Sequence, residues 1–381
     1  MNRIFKCLSF FLLALDSFSQ IGNDTLDKLF KGTNINPYNL ESDSTANWSY
    51  SAYIDTYYAF YTDSSNLNSY QKFPTISPKS ESFGINILQF GTKYESQRFH
   101  GVATLFFGDT PNAAWSPFLN YIQEANIGFR LVKNLWLDMG FFRTHIGLES
   151  IQPRENMTLS VSSTSYFEPY FLSGAKLTWI PNKKWTTQIN VFNSFNQFIE
   201  TNKNKAVGFS ILYNVNSNWS MTLNSIFCDE SSLNYPLPQL RAYFNFYSMY
   251  VKKRWSLGFD SNFALQQNSK LNNLKKSAYM WSGVLVSKYR FTPLFAGYFR
   301  TEVYSDPDEM LTGPIEDENH TLVGLDILGF THGYEYKPIP NAYFRIETRY
   351  LQTKKDERIF FYNNQSNNFR WEFLLGMGLW F

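Results

Sequence analysis

Residues 368–381 close the chain with two chemistries in strict alternation. Phe369, Trp371, Phe373, Leu375, Met377, Leu379 and Phe381 fall on one parity; Arg370, Glu372, Leu374, Gly376, Gly378 and Trp380 fall on the other. A period of two is that of a β-strand, whose successive side chains leave opposite faces. The apolar parity is unbroken over a length that crosses a bilayer as a tilted strand, about 9–11 residues. No strand survives alone in lipid, because each unpaired N–H and C=O there costs several kcal/mol. Reading this segment as a membrane span therefore obliges the rest of the chain to close a barrel around it.

The composition suits that demand. The 381 residues include 37 Phe, 25 Tyr and 10 Trp, yet only 17% are charged, and the mean hydropathy is −0.33. No internal stretch approaches the ~20 apolar residues of a transmembrane helix. Abundant aromatics without long apolar runs fit short interrupted strands. A net charge of +2 offers no pull on a polyanion and argues against nucleic acid as a partner.

Residues 1–19 read as a secretory signal. Arg3 and Lys6 form its positive start, 10–15 its apolar centre, and Ser17 and Ser19 the small residues before a cut at Gln20. Cys7 leaves with it, so Cys228 remains alone and no intrachain disulfide can form. An exported chain of this size without a disulfide needs another source of stability, and barrel closure supplies one. Residues 20–47 are polar and read as a tail or a small plug.

From residue 48 onward alternating segments recur, at 48–61, 83–95, 99–108, 119–131, 135–146, 170–180, 185–199, 205–215, 219–228, 239–251, 255–266, 278–290, 294–304, 320–335, 342–354 and 368–381. The fold class is all-β: a transmembrane antiparallel up-and-down β-barrel of sixteen strands over 48–381. Its links alternate in length. Short turns, such as 132–134 and 216–218, alternate with longer links at 62–82, 109–118, 147–169, 229–238, 267–277, 305–319 and 355–367. The link at 201–204 is short on the long side. Outer-membrane barrels sort their connections this way, with short periplasmic turns and long external loops. Trp136, Trp185, Trp219 and Trp255 follow short turns, and Trp380 and Phe381 end the last strand at the same level. That recurrence predicts an aromatic girdle at the periplasmic rim.

Charges assign the faces. Arg345, Glu347 and Arg349 share a parity opposite Phe344, Ile346, Thr348 and Tyr350. A lipid-facing Arg costs about 2–4 kcal/mol at mid-depth, so the charged parity points inward. The same reasoning places Glu124, Arg130, Lys176, Arg300, Glu302, Arg370 and Glu372 inside, with Gln188, Asn190, Ser210, Thr222 and Asn224 among the other inner positions. Sixteen strands predict an aqueous lumen rather than a packed core. The third long loop, 147–169, carries Glu149, Arg154, Glu155 and Asn156. Two readings stay open: it folds into the lumen and meets Arg130, Lys176, Arg345 or Arg349, setting selectivity by fixed charge, or it is an ordinary external loop.

Residues 99–224 resemble the OmpL-like β-barrel porin-2 family. The resemblance is carried by 98–109 (Arg98 to Asp109), Gln123-Glu124-Ala125 within 122–128, 137–142 running into Gly147-Leu148-Glu149, Arg154-Glu155-Asn156, 173–178 and Val191-Phe192-Asn193. Ser194-Phe195 stands where the family pattern places Trp. The resemblance implies a porin, and with it a C-terminal Phe381 read by the outer-membrane barrel assembly machinery.

The expected function is an outer-membrane porin passing small hydrophilic solutes or ions by passive diffusion. Alternatives are a gated transporter for apolar substrates with 20–47 as plug, and a surface binding or structural barrel. No enzyme, metal or cofactor is expected. His145 near Glu149 and Ser150 is a poor hydrolase set. The acidic run Asp306, Asp308, Glu309, Glu316, Asp317 and Glu318 lacks regular Ca²⁺-ligand spacing. Expected partners are outer-membrane lipid and lipopolysaccharide, the assembly machinery and small solutes, with a homotrimer by analogy.

Overall fold

The computed structural model describes residues 47–381 apart from 65–68, 72, 117, 201, 203, 232–236, 356 and 364. The signal segment and the tail or plug expected at 1–46 lie outside the described residues. In chain order the strands are β1 Asn47–Tyr61, β2 Ser82–Glu95, β3 Phe99–Phe107, β4 Ile122–Val132, β5 Leu135–Arg143, β6 Phe171–Asn182, β7 Trp185–Phe192, β8 Ala206–Asn216 and β9 Trp219–Asp229. They continue as β10 Leu240–Lys252, β11 Trp255–Gln266, β12 Ala278–Arg290, β13 Phe295–Asp306, β14 Leu325–Tyr336, β15 Ala342–Thr353, β16 Phe360–Tyr362, β17 Gln365–Asn367 and β18 Phe369–Trp380. Two short helices, α1 Asp109–Ala114 and α2 Ser163–Phe167, lie in links. Among the described residues β1–β15 and β18 form one closed barrel of sixteen strands, each antiparallel to its chain neighbours. β16 and β17 form a separate hairpin in the last external link.

Closure falls where the terminal strand demanded it. β18 pairs with β15 on one side and with β1 on the other, from Tyr53 opposite Trp380 to Tyr61 opposite Glu372. Beyond the strand end, Phe381 and Ala52 exchange two backbone hydrogen bonds of 3.1 and 3.3 Å. Trp371, Phe373, Leu375, Met377 and Leu379 are exposed on the outer face while Arg370, Glu372 and Leu374 are buried. A one-residue slip would exchange these sets.

Four strand ends differ from the alternation pattern by three residues or more: β4 begins at Ile122 rather than 119, and the other three share a cause. β5 stops at Arg143, β7 at Phe192 and β14 begins only at Leu325. In each case the alternation continues into residues that pack above the lumen: Ile146, Phe195 and, partly buried, Val323 belong to one apolar cluster with Phe142, Phe192 and Leu325. A buried loop and a strand present the same alternation. The girdle differs too. Trp185 packs at a tilt against Tyr213 at 4.4 Å and Trp255 against Tyr289 at 4.7 Å on the outer face. Trp136 is buried, 4.5 Å from the His100 ring, and Trp380 lies against Tyr53 and Tyr343.

The larger departure is inside. The predicted aqueous lumen is largely filled by links on the external side, here L1 (62–81), L3 (144–170), L4 (193–205), L7 (307–324) and L8 (354–368). Phe73 of L1, Ile146 of L3, Phe195 of L4, Met310 of L7 and Phe360 of L8 bury themselves against Tyr243, Met280, Ile327 and Leu351 of the wall. Apolar inner positions at the external ends of the strands give these loops a surface to cover.

Removing Phe381 deletes both hydrogen bonds to Ala52 and the exposed terminal ring. We expect the heat-modifiable, membrane-inserted fraction to fall several-fold in outer-membrane preparations. Insertion at the full-length level would show that closure does not need this residue.

Candidate functional site: the lumen and its third loop

L3 crosses the barrel interior, and the wall holds it by charge. The carboxylate of Glu347 on β15 accepts hydrogen bonds from the backbone N–H of Leu159 at 2.7 Å and of Ser160 at 3.1 Å. Arg345, two residues nearer the periplasm, donates to three L3 carbonyls: Pro153 and Thr158 at 2.7 and 2.6 Å and Asn156 at 3.0 Å. Arg300 on β13 is fully buried. It donates to Glu149 Oε1 at 2.9 Å, to the Ser160 carbonyl at 2.7 Å and to the Thr158 and Thr331 hydroxyls. Glu302 accepts from the N–H of Ser163, at the start of α2, which Ser162 caps.

These residues continue a ladder of alternating sign up one side of the lumen. Lys288 of β12 and Arg345 both meet Glu335 of β14 at 2.7 Å. Arg349 meets Glu302 at 2.7 Å and Glu372 at 3.5 Å. Arg370 pairs with Glu372 and lies 3.7 Å from Asp63, with its guanidinium over the rings of Tyr61, Phe73 and Phe360. Single charges could not stay this deep; desolvation costs several kcal/mol per ion unless each is paired and hydrogen-bonded. Here L3 backbone groups take much of the hydrogen-bonding capacity that the pairs leave open.

Two glycines admit the loop. Gly147 has φ +88°, the left-handed region that strains any side chain, and a Cβ there would lie 2.1 Å from Glu168 Oε2. At Gly376 on β18 a Cβ would lie 2.5 Å from the Leu159 side chain, so the bare backbone is the seat of the loop's apolar tip. At its root L3 is held by β10 and β11: Asn245 Oδ1 accepts from the Gly147 N–H at 3.2 Å and Asp260 from the Leu148 N–H at 2.8 Å.

The structure places the sequence-nominated charges unevenly. Glu302, Arg345, Glu347, Arg349, Arg370, Glu372, Arg300 and Glu149 come together on the ladder. Glu155 pairs instead with Arg143, and Arg154 lies over the Tyr53 ring at 4.6 Å. Glu124 accepts from Asn126 at 3.0 Å on the other side. Arg130 reaches the Gln97 carbonyl of a periplasmic turn at 3.4 Å and so sits at the rim, away from L3. Lys176 keeps its ammonium over the Phe142 ring at 4.9 Å. The expected meeting of L3 carboxylates with Arg130, Lys176, Arg345 or Arg349 is replaced by Glu149 with Arg300 and Glu155 with Arg143. Arg345 binds L3 carbonyls, and Arg349 reaches the Ser163 hydroxyl at 3.2 Å. Parity could have nominated Asp260, Lys288 and Glu335; Arg143 and Asp63 carry no such signal.

Opposite the ladder lies a cavity of about 70 Å³, between the base of L3 and the wall. It is lined by Gln123, Arg143, His145, Glu149, Gln188, Ser210, Thr222 and Tyr247, among others. His145 is neutral by its contacts: Nε2 donates to the Ser225 carbonyl at 3.1 Å, and Nδ1 accepts from Asn190 Nδ2 at 3.3 Å. Burial pushes it down to about 4. Ser150 accepts from Arg143 at 2.6 Å, so His145, Glu149 and Ser150 each serve different partners. In L7, Asp306 accepts the Met310, Leu311 and Thr312 N–H groups, and Asp317 those of Asn319 and Thr321; both carboxylates brace turns.

A loop folded into a sixteen-stranded membrane barrel is a pore architecture, and the comparisons agree. The family model described as "Putative beta-barrel porin-2, OmpL-like" matches residues 47–381. The chain belongs to that family. This outer-membrane porin shares its fold with the anion-selective porin from Comamonas acidovorans, at TM-score 0.59 and 9% identity, covering 88% of this chain and 100% of that one. Salmonella typhi OmpF, solved in complex with daunomycin, aligns at TM-score 0.56 and 10% identity over 88% and 97%. Pseudomonas putida OprB aligns at 0.56 and 9% over 88% and 94%. Comparison with curated proteins gives no match. Family and fold point to a channel rather than an enzyme.

Glu347→Ala would strand the N–H groups of Leu159 and Ser160. Hydrogen bonds to a charged group contribute about 1.5–3 kcal/mol each. We expect L3 to loosen and single-channel conductance to rise about twofold or more in planar bilayers. Wild-type conductance would show that the remaining ties hold L3 alone.

Proposed function

We propose that this porin passes small hydrophilic solutes by passive diffusion, through the space between L3 and the wall of β6–β9. The observation that carries the reading is the one-sided anchoring of L3. Its charged contacts fill the ladder side at the level of Arg300 and Glu347; nearer the short turns a cavity of about 180 Å³ is lined by Lys288, Glu335 and Arg345, and a second, of about 70 Å³, lies at Gln188, Ser210 and Thr222 beside the other wall. On this reading the ladder residues act chiefly as ties for L3, and fixed-charge selectivity falls to Lys176 and Glu124, which face the open side.

The apolar cluster of L1, L3, L4, L7 and L8 favours a second element, gating: solutes from outside pass only where these loops part. A plug formed by 20–47 is a separate proposal, as are cleavage before Gln20, a homotrimer, contacts with lipopolysaccharide, and recognition of Phe381 by the assembly machinery.

Purified protein in planar bilayers should give discrete conductance steps, and none would defeat the porin reading. Lys176→Glu should shift the reversal potential in a salt gradient toward cations, whereas Arg345→Glu should make the current unsteady by releasing L3. A clean selectivity shift from Arg345→Glu with none from Lys176→Glu would put the ion path on the ladder side.

A further inference from the structure

The inner faces of β6–β9 differ from the ladder in chemistry, not only in position. Thr178, Thr186, Gln188, Asn190, Ser210, Ser220, Thr222 and Asn224 face the lumen there, and all are buried. Among the described residues, Lys176 is the one charge at the inner positions of these four strands. From this wall we infer that the solute the porin favours is a small uncharged polyol, a linear chain of three or four hydroxylated carbons. The inference rests on the diffusion reading above and names its substrate class.

The wall has unused hydrogen-bonding capacity. Asn190 Oδ1, Ser220 Oγ and Asn224 Oδ1 are buried without a hydrogen-bond partner. Their residues are each no more than 2% exposed. They flank the cavity lining in register: Ser210 lies opposite both Gln188 and Asn224, and Ser220 is two residues before Thr222. Native interiors seldom leave such atoms unpaired; Thr222 Oγ1, on a residue that lines the cavity itself, is also without a partner, and it is the acceptor that awaits protons from a solute there. Hydroxyl groups supply them. Asn190 is fixed with its oxygen free, because its Nδ2 is engaged by His145.

Charge is spent on the L3 side. Glu149 is taken by Arg300 and the Ser162 N–H, Arg143 by Glu155 and Ser150, and His145 is neutral. An ion entering the cavity would leave its hydration shell for a wall of dipoles with one ammonium. A polyol exchanges water hydrogen bonds for wall hydrogen bonds of the same kind. Size follows from the cavity: about 70 Å³ holds about five waters at ~15 Å³ each, which suits a slim chain and not a ring. Trp115, Tyr170 and Tyr247 in the same lining offer faces to its C–H groups.

The test is a swelling assay in liposomes carrying purified protein, with erythritol and the carboxylate of matching length, threonate, beside KCl conductance in planar bilayers. Erythritol should enter at least about fivefold faster than threonate. Gln188→Leu and Ser210→Ala should each slow erythritol by about two- to tenfold, the range of one hydrogen bond, and by a larger factor than either changes KCl conductance. Threonate entering as fast as erythritol overturns the inference without using any variant. So does an erythritol rate that is unchanged in both variants, or that falls only in step with conductance. Wild-type protein without conductance steps would overturn the diffusion reading first and this inference with it.

Discussion

A buried arginine needs partners for its charge and for most of its N–H groups, and this barrel places Arg300, Arg345, Arg349 and Arg370 inside one wall. Their pairing with Glu302, Glu335 and Glu372 cancels charge, yet a guanidinium has five N–H groups and a pair satisfies only some of them. Much of the remainder goes to Ser160, Val161, Pro153, Asn156 and Thr158 of L3 and to Pro74 of L1, while Arg300 Nε and Arg370 Nη1 have no hydrogen-bond partner. Removing one partner of such a pair costs about 3–5 kcal/mol, so the loop and the wall are mutually required. The position of L3 follows from the wall's charges, and the wall's charges are tolerable only because L3 is there.

One-sided anchoring then divides the lumen. The ladder side is dense where L3 is tied to it, with a cavity of about 180 Å³ nearer the short turns among Lys288, Glu335 and Arg345. The side of β6–β9 has hydroxyls and amides, a cavity and few charges. On the proposed path a solute meets the second wall, where L3 makes fewer charged contacts. Apolar loop residues above both walls add a lid of side chains, built from the same clusters that bury Phe73, Phe195 and Phe360.

Much of the barrel was legible in the chain because its two solvents differ so sharply. Lipid outside and polar groups inside impose a period of two, and charges such as Arg345 and Arg349 set the face without ambiguity. Barrel closure by β18 followed from its length and its unpaired backbone. Strand ends at Arg143, Phe192 and Leu325 were not legible, since loops that pack over the lumen keep the alternation going. The inner charges were legible as inner, but not as ties. Parity says that Glu347 faces inward; it cannot say that the Leu159 and Ser160 N–H groups will be waiting there. Gln188, Ser210 and Thr222 looked like filler for the same reason, because parity cannot say that a cavity will separate them from the base of L3.

The most direct test of this division is a cysteine-accessibility scan in a Cys228→Ser background, with conductance read in planar bilayers. Single Cys substitutions at Gln188, Ser210 and Thr222 should react quickly with a small hydrophilic thiol reagent and cut the current. Cys at Thr331 and at Leu159, both on the tied side, should react at least about tenfold more slowly and leave the current unchanged. Fast block from Thr331→Cys and Leu159→Cys, with Gln188→Cys and Thr222→Cys silent, would contradict the account by placing the path where L3 is anchored.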